Sequence, residues 1–432
     1  MRLSTSMLYD LGMAGLQRQQ AQQLELQEKI AAGTRMLRPS DDPAAAALII
    51  GLDQARAVNA QYGANADNAI TSLSLEEQAL ADATRVLQDV KTLAVQAGNA
   101  ALENPDRANI ATEMLGLYQE LLGIANRTDG KDGYLFSGFQ GSTKPFSESL
   151  PGVVAYAGDE GHRFVQVGPQ RRLVVGDNGT EIFQRVRAGN GTFIVEPGTN
   201  SGTGVASAGT VRDAQAWSNP ANSRDYSIRF HVDGALPPVT TYDIVNDATS
   251  LSMLTGVAPV AGPHARTYQA GAAIELKRLP ADPIVTPWDT GAQVDITGAP
   301  ATGDRFDIDR APAQEVFAMV HELIDTLNTG VSLTPASRAS YQNRLNAAGA
   351  SIDRGLDSIL TAQASVGIRL REIDQVQDTT DDIALQYETD RSRLSDLDYA
   401  QALSDVARSQ FILEAAQRSF VAVTSLKLFD FI

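Results

Sequence analysis

Two stretches of about 57 residues, one in each half of the chain, carry a sustained heptad of apolar residues, and this constrains the fold more than any other feature. Stepping alternately four and three residues from Leu48 meets Leu52, Ala55, Asn59, Tyr62, Ala66, Ala69, Leu73, Glu76, Leu80, Ala83, Leu87, Val90, Ala94, Ala97 and Ala101, so that only Asn59 and Glu76 interrupt the seam. Tyr341 starts a second series through Leu345, Ala348, Ile352, Gly355, Ile359, Ala362, Val366, Arg369, Ile373, Val376, Thr380, Ile383, Tyr387, Asp390, Leu394 and Leu397. Each span, as helix, is roughly 85 Å long. Two stripes of matched length can lie side by side only if the intervening chain returns to its start. Shorter amphipathic segments at 106–128 and 313–329 have the period needed to complete a four-helix bundle.

Proline marks the boundaries. Of 18 prolines, 14 lie between Pro145 and Pro312, together with both tryptophans, Trp217 and Trp288. Short runs of Val, Ile, Phe and Tyr at 153–157, 164–167, 173–175, 226–232 and 272–279, broken by Gly-Asp and Asp-Gly turns, predict strands there. The Gly/Ser/Thr/Pro-rich intervals 197–222 and 256–270 read as loops. The expected fold is therefore mainly α with a β-rich insert: a long antiparallel coiled-coil bundle built from N- and C-terminal segments, with a mostly-β central domain. The expected division is 1–42 (terminal helix), 43–144 (first half of the bundle), 145–312 (β-rich outer region), 313–399 (second half of the bundle) and 400–432 (terminal helix, pairing with 1–42).

The terminal helices have weaker seams. Leu16, Gln19, Gln23, Leu26 and Ile30 share one stripe, and Leu403, Val406, Gln410, Leu413, Gln417 and Phe420 share another. Glutamine amides in a seam need hydrogen-bond partners and weaken burial. Such helices suit a shared assembly in which neighbouring copies supply the missing surface. Between terminal helix and bundle, Pro39-Ser40-Asp41-Asp42-Pro43 reads as a helix start, with Asp42 the N-cap and Pro43 the first helical residue.

No constellation for catalysis emerges. The chain has no cysteine and 4 histidines, His162, His231, His264 and His321, none at metal-ligand spacing from another ligand. There is no Gly-x-Ser-x-Gly elbow, phosphate loop or dinucleotide fingerprint. Asp129–Gly133 reads as a helix stop and turn rather than a calcium loop, and Asp304, Asp307 and Asp309 as the polar face of a strand. No cofactor and no metal are expected, and no enzymatic activity. A net charge of -17, spread along the chain, argues against a nucleic-acid partner. No cleavable leader or membrane-spanning run is visible, and no membrane insertion is expected.

The ends of the chain carry a specific likeness. Arg2-Leu3-Ser4-Thr5-Ser6-Met7, Gly33-Thr34-Arg35 and Pro39–Pro43 resemble the N-terminus of the flagellar hook–filament junction proteins, the FlgL class of hook-associated proteins within the flagellin superfamily. Asp396-Leu397-Asp398-Tyr399-Ala400 and the closing Leu426-Lys427-Leu428-Phe429 resemble the C-terminal pattern of that class, and Gly133-Tyr134-Leu135-Phe136-Ser137-Gly138 is similar to its central motif. The likeness covers about 1–190 and 313–432.

The resemblance implies a structural, extracellular subunit of the bacterial flagellum, transiently cytoplasmic and then exported by the flagellar type III apparatus. It implies a homo-oligomeric ring at the hook–filament junction, contacting the other hook-associated junction protein and flagellin, with an export chaperone on the C-terminal segment before assembly. The assembly residues implied are the two terminal stripes with Leu426, Leu428 and Phe429. The alternatives are flagellin itself, and a surface binding module whose central β region recognises a glycan or host partner, with Trp217 or Trp288 as exposed stacking platforms. Flagellins usually open with an Ile-Asn-Thr-Asn type run, absent here.

Overall fold

The computed structural model describes residues 5–130, 133–220, 222–332 and 334–425. Seven α-helices occur among them: α1 (Thr5–Ala32), α2 (Pro43–Ala97), α3 (Asn104–Ala125), α4 (Ala214–Ser218), α5 (Val316–Asn328), α6 (Pro335–Ser395) and α7 (Tyr399–Ser425). By contact the chain divides into two units. One comprises Met1–Asp67, Gln166–Arg171 and Asp374–Ile432, the other Asn68–Val165 and Arg172–Ile373.

In the second unit the heptad residues of α2 from Ala66 to Ala97 that fall within it are all buried, Glu76 included. Tyr341, Leu345, Ile352, Ile359 and Val366 of α6 are buried likewise. The two helices run antiparallel: the Tyr341 hydroxyl donates to Ala97 O at 2.9 Å and Lys91 pairs with Asp353 at 2.6 Å. At Gly355 the absent side chain lets Leu87 of α2 and Val316 and Met319 of α5 lie within 3.7 Å of where a Cβ would sit. α3 packs along α5 and completes the four helices. α2 stops at Ala97, short of the expected Ala101, because Gly98 closes the last turn by donating to Ala94 O and Val95 O. At one side of the bundle Phe146, Phe183 and Phe317 form an aromatic cluster, with Phe183 stacked on Phe317 at 5.7 Å between ring centres.

Glu76 is the one charged residue of the α2 seam in this unit, and it is 1% exposed. Its Oε1 accepts from the Asp177 backbone N–H at 3.1 Å, while Oε2 is buried without a partner. Arg369 of α6 pairs with Asp177 at 2.5 Å, and His162 and Glu181 lie beside that pair. Burial, reinforced by the Asp177 carboxylate, pushes the Glu76 carboxyl up to about 8.

The insert begins with two hairpins, β1 (Phe146–Leu150) with β2 (Val153–Tyr156) and β3 (Phe164–Gln166) with β4 (Arg172–Val174). A π-helical turn at Thr180–Gln184 leads to β5 (Val186–Arg187), β6 (Phe193–Pro197), β7 (Val205–Ala206) and β8 (Thr210–Val211). Beyond α4 come β9 (Tyr226–Val232), β10 (Thr240–Asn246), β11 (Leu251–Ser252), β12 (Arg266–Thr267), β13 (Ala273–Lys277), β14 (Asp289–Thr297), β15 (Arg305–Arg310) and β16 (Ala313–Gln314). An antiparallel sheet in the order β11-β10-β9-β15-β6, with β12 also on β10, and a smaller sheet β13-β14-β7, with β8 on β14, share one core. Alternate residues point into it: Tyr226, Ile228 and Phe230 from β9, and Ala292, Val294 and Ile296 from β14.

Several differences from the sequence expectation have local causes. The intervals 197–222 and 256–270 hold β7, β8, α4 and β12 as well as loops, since two-residue strands have too few positions to show a period. Asp213 caps α4 by accepting from Gln215 N–H and Ala216 N–H. β1, β6, β10 and β14 also have no counterpart among the expected strands, although the alternation in β14 is there to be read, whereas β15 falls on the strand expected around Asp307 and Asp309. Trp217 is 6% exposed in the insert core and Trp288 packs against that core half-buried, so neither is an exposed stacking platform.

Candidate functional site

Among the described residues no group of three or more His, Cys, Asp or Glu could hold a metal, and no helix is long and apolar enough to cross a membrane. The two stripes of residues expected to serve assembly lie on the terminal helices of the first unit. α1 and α7 pair antiparallel, with Tyr9 against Phe420 at 5.2 Å between ring centres and Gly33 beside the Tyr399 hydroxyl. Gly12 sits against the Phe420 ring, where an added Cβ would come within 2.7 Å.

Leu16, Gln19, Gln23, Leu26 and Ile30 lie together on the half-buried stripe of α1 that faces α7. On α7 that stripe contains Val406, Leu413 and Phe420, joined by Ala402 and Ser409, each 6% exposed, and by Ala416. Leu403, Gln410 and Gln417, expected in the same seam, are exposed on its flank. Small residues allow the helix axes to approach, so Ala402 and Ser409 occupy the contact and the larger side chains are displaced around the helix. Leu426, Leu428 and Phe429 lie outside the described residues.

The pair buries little of its own apolar surface. Leu24 is 60% exposed on α1, and Leu403 and Phe411 are 58% and 73% exposed on α7, with Met7, Leu11 and Val421 exposed as well. Large apolar side chains are thus left open to solvent on both helices of the pair.

Residues 33–42 connect α1 to α2. Asp41 Oδ2 accepts from the Leu37 and Arg38 backbone N–H groups at 3.0 and 2.9 Å, and the Arg38 bond foremost holds its carboxyl below the usual carboxylate range. Asp42 Oδ1 accepts from Ala45 N–H at 3.0 Å ahead of Pro43, the first residue of α2, and its carboxylate also pairs with Arg35 at 3.3 Å. Pro39, Ser40 and Asp41 form the turn that leads into Asp42. Across from this loop, Arg35 N–H donates to Ser395 O at 2.8 Å and Leu397 N–H donates to Gly33 O at 3.1 Å, a two-stranded clasp joining the entry to α2 and the exit from α6. Asp396 accepts from the Ser392 and Ser395 hydroxyls, which lower its pKa. Gly33-Thr34-Arg35 and Asp396-Leu397 are separate motifs in the sequence, and their pairing across about 360 positions has no local signal.

Residues 3–141 match the family model of the bacterial flagellin N-terminal helical region. Flagellar hook-associated protein 3 of Salmonella typhimurium is 38% identical over 186 residues, 43% of this chain and 58% of that protein, so the chain aligns with little more than half the length of this curated relative. Over the whole fold, Xanthomonas campestris FlgL is 31% identical with a TM-score of 0.65, covering 79% of this chain and 99% of that one. The flagellar junction protein FlgL of Legionella pneumophila is 28% identical with a TM-score of 0.68, covering 81% of this chain and 100% of that one. Matches to flagellins are shorter, at about a quarter of this chain. With a relative above 30% identity matched over nearly its full length in the same fold, the chain belongs to the FlgL family of flagellar hook-associated proteins.

Proposed function

We propose that this chain is a structural subunit of the bacterial flagellum that forms the junction between hook and filament and polymerises through its terminal helices. The observation that carries the reading is the pair α1 and α7, which is held by a narrow seam rich in small and amide side chains while Leu24, Leu403 and Phe411 remain exposed. Apolar area left on a free subunit becomes binding energy when copies pack together. In this reading the assembly residues are Leu16, Gln19, Gln23, Leu26 and Ile30 with Val406, Leu413 and Phe420 inside each pair, and Leu403, Gln410 and Gln417 toward the neighbour. The partners are other copies in a ring, the second hook-associated junction protein and flagellin, with an export chaperone on the C-terminal segment beforehand. The family is one of structural flagellar proteins, which supports a role without catalysis. The shorter matches to flagellins favour the junction over the filament itself.

The test is a strain lacking the gene, which is expected to secrete flagellin without building filaments. Complementation with Leu24→Asp/Phe411→Asp should fail even though the purified variant melts as the parent does. Normal filaments in the deletion strain would overturn the proposal.

A further inference from the structure

Arg107, in the first turn of α3, is 7% exposed, and no carboxylate pairs with it among the described residues. Its Nη1 donates to Asn104 Oδ1 at 3.2 Å and its guanidinium lies over the Tyr341 ring at 5.0 Å, but its Nε is buried with no acceptor. A guanidinium taken out of water keeps its charge, and leaving it without an anion is costly. In a chain of net charge -17, with acidic side chains in excess everywhere, such an arginine is out of pattern.

Arg107 lines a cleft of about 480 Å³ at one end of the bundle, between the α2–α3 connection and Val331 and Ser332 ahead of α6. Arg338, from the first turns of α6, is exposed on the same cleft and also has no carboxylate partner among the described residues. Asn104 ties the walls together, its Oδ1 accepting from Val331 N–H at 3.1 Å and its Nδ2 donating to Val331 O at 3.3 Å. Glu103 is an acid on the cleft lining, and Asp106 is its partner in the cap of α3. Asp106 is engaged by the Glu103 backbone N–H at 3.0 Å, and Glu103 belongs to the capping box of α3.

We propose that this cleft is an oxyanion receptor, taking a carboxylate or phosphate group between Arg107 and Arg338. The planar guanidinium donors suit paired oxygens. This site is separate from the terminal helices and does not depend on the junction reading.

Calorimetric titration of the full chain with inorganic phosphate, at ionic strength held constant with sodium chloride, tests it. Saturable binding at one site is expected. Arg338→Ala, an exposed change that leaves the fold alone, should weaken it at least about tenfold, the loss of one charge-assisted bond, and Glu103→Gln should strengthen it. Arg107→Met should abolish it; should that variant fail to fold, the Arg338 and Glu103 variants still decide. A parallel titration with acetate identifies the guest: a matching response marks a carboxylate receptor, and a response to phosphate alone marks a phosphate site. Absence of saturable binding by both anions, or an affinity unchanged in Arg338→Ala, overturns the proposal.

Discussion

Glu76→Gln isolates the ionisable group in the α2 seam. The substitution keeps the shape of the protonated side chain and an oxygen to accept from Asp177 N–H, but it removes the charge that the buried Oε2 cannot share. With the carboxyl at about 8 in the folded chain against 4.5 as the reference, the folded state binds the proton more tightly than the unfolded state. Stability relative to the Gln variant is therefore fully present below pH 4.5 and declines as pH rises through 8. At about 1.4 kcal/mol per unit, the ceiling on that decline is about 3 kcal/mol at pH 7 and about 5 kcal/mol by pH 9. Arg369 opposes the loss and water entry softens it, so about half the ceiling is the expected value. Urea unfolding of both proteins at pH 5, 7 and 9 reads the difference directly, because contributions from Asp177, Glu181, His162 and Arg369 appear in both curves. The two proteins should match at the acid end, and the variant should be the more stable by about 2 kcal/mol at pH 9. A difference that stays constant from pH 5 to pH 9 would refute the account.

Two further substitutions probe other parts of the fold. Phe317→Ala removes a fully buried ring stacked on Phe183 and should cost about 3–5 kcal/mol in denaturant unfolding, with the helical signal retained at low denaturant. Arg266→Met in the insert should cost a similar amount, about 3–5 kcal/mol, because it strands the carboxylate of Asp282, which is buried and bonded to the guanidinium at 2.7 and 2.9 Å. For that variant a calorimetric transition below the parent's, in a background of unchanged helix content, is the expected reading.

The long helices were legible because a heptad is a local code. Every seam residue between Ala66 and Ala97 follows from the spacing of small and branched side chains, and Asp42-Pro43 announces the start of α2 by cap chemistry alone. The strands were legible only in part. β9 alternates strongly over seven residues, whereas β7, β8 and β12 exist because a neighbour supplies their hydrogen bonds. On α7 the heptad step assigns the contact to Leu403, Val406, Gln410, Leu413, Gln417 and Phe420; the structure keeps Val406, Leu413 and Phe420 on the facing stripe and puts Ala402, Ser409 and Ala416 there in place of Leu403, Gln410 and Gln417. A helix has several stripes with acceptable periodicity, and the partner decides which one is used.

By itself, then, the sequence determined the helical flanks, the Pro/Gly-rich β insert, the cap at Asp42 and the likeness to the junction family, all carried by residues close together along the chain. Tertiary structure alone decided the rest. It brought Gly33 to Leu397 and Thr34 to Asp396, set Asp177 and Arg369 around Glu76, and placed Arg107 and Arg338 on one cleft with no carboxylate partner among the described residues. Those outcomes depend on which faces pack and which charges end up desolvated. Burial and charge pairing are properties of neighbours in space, and no spacing along the chain encodes them.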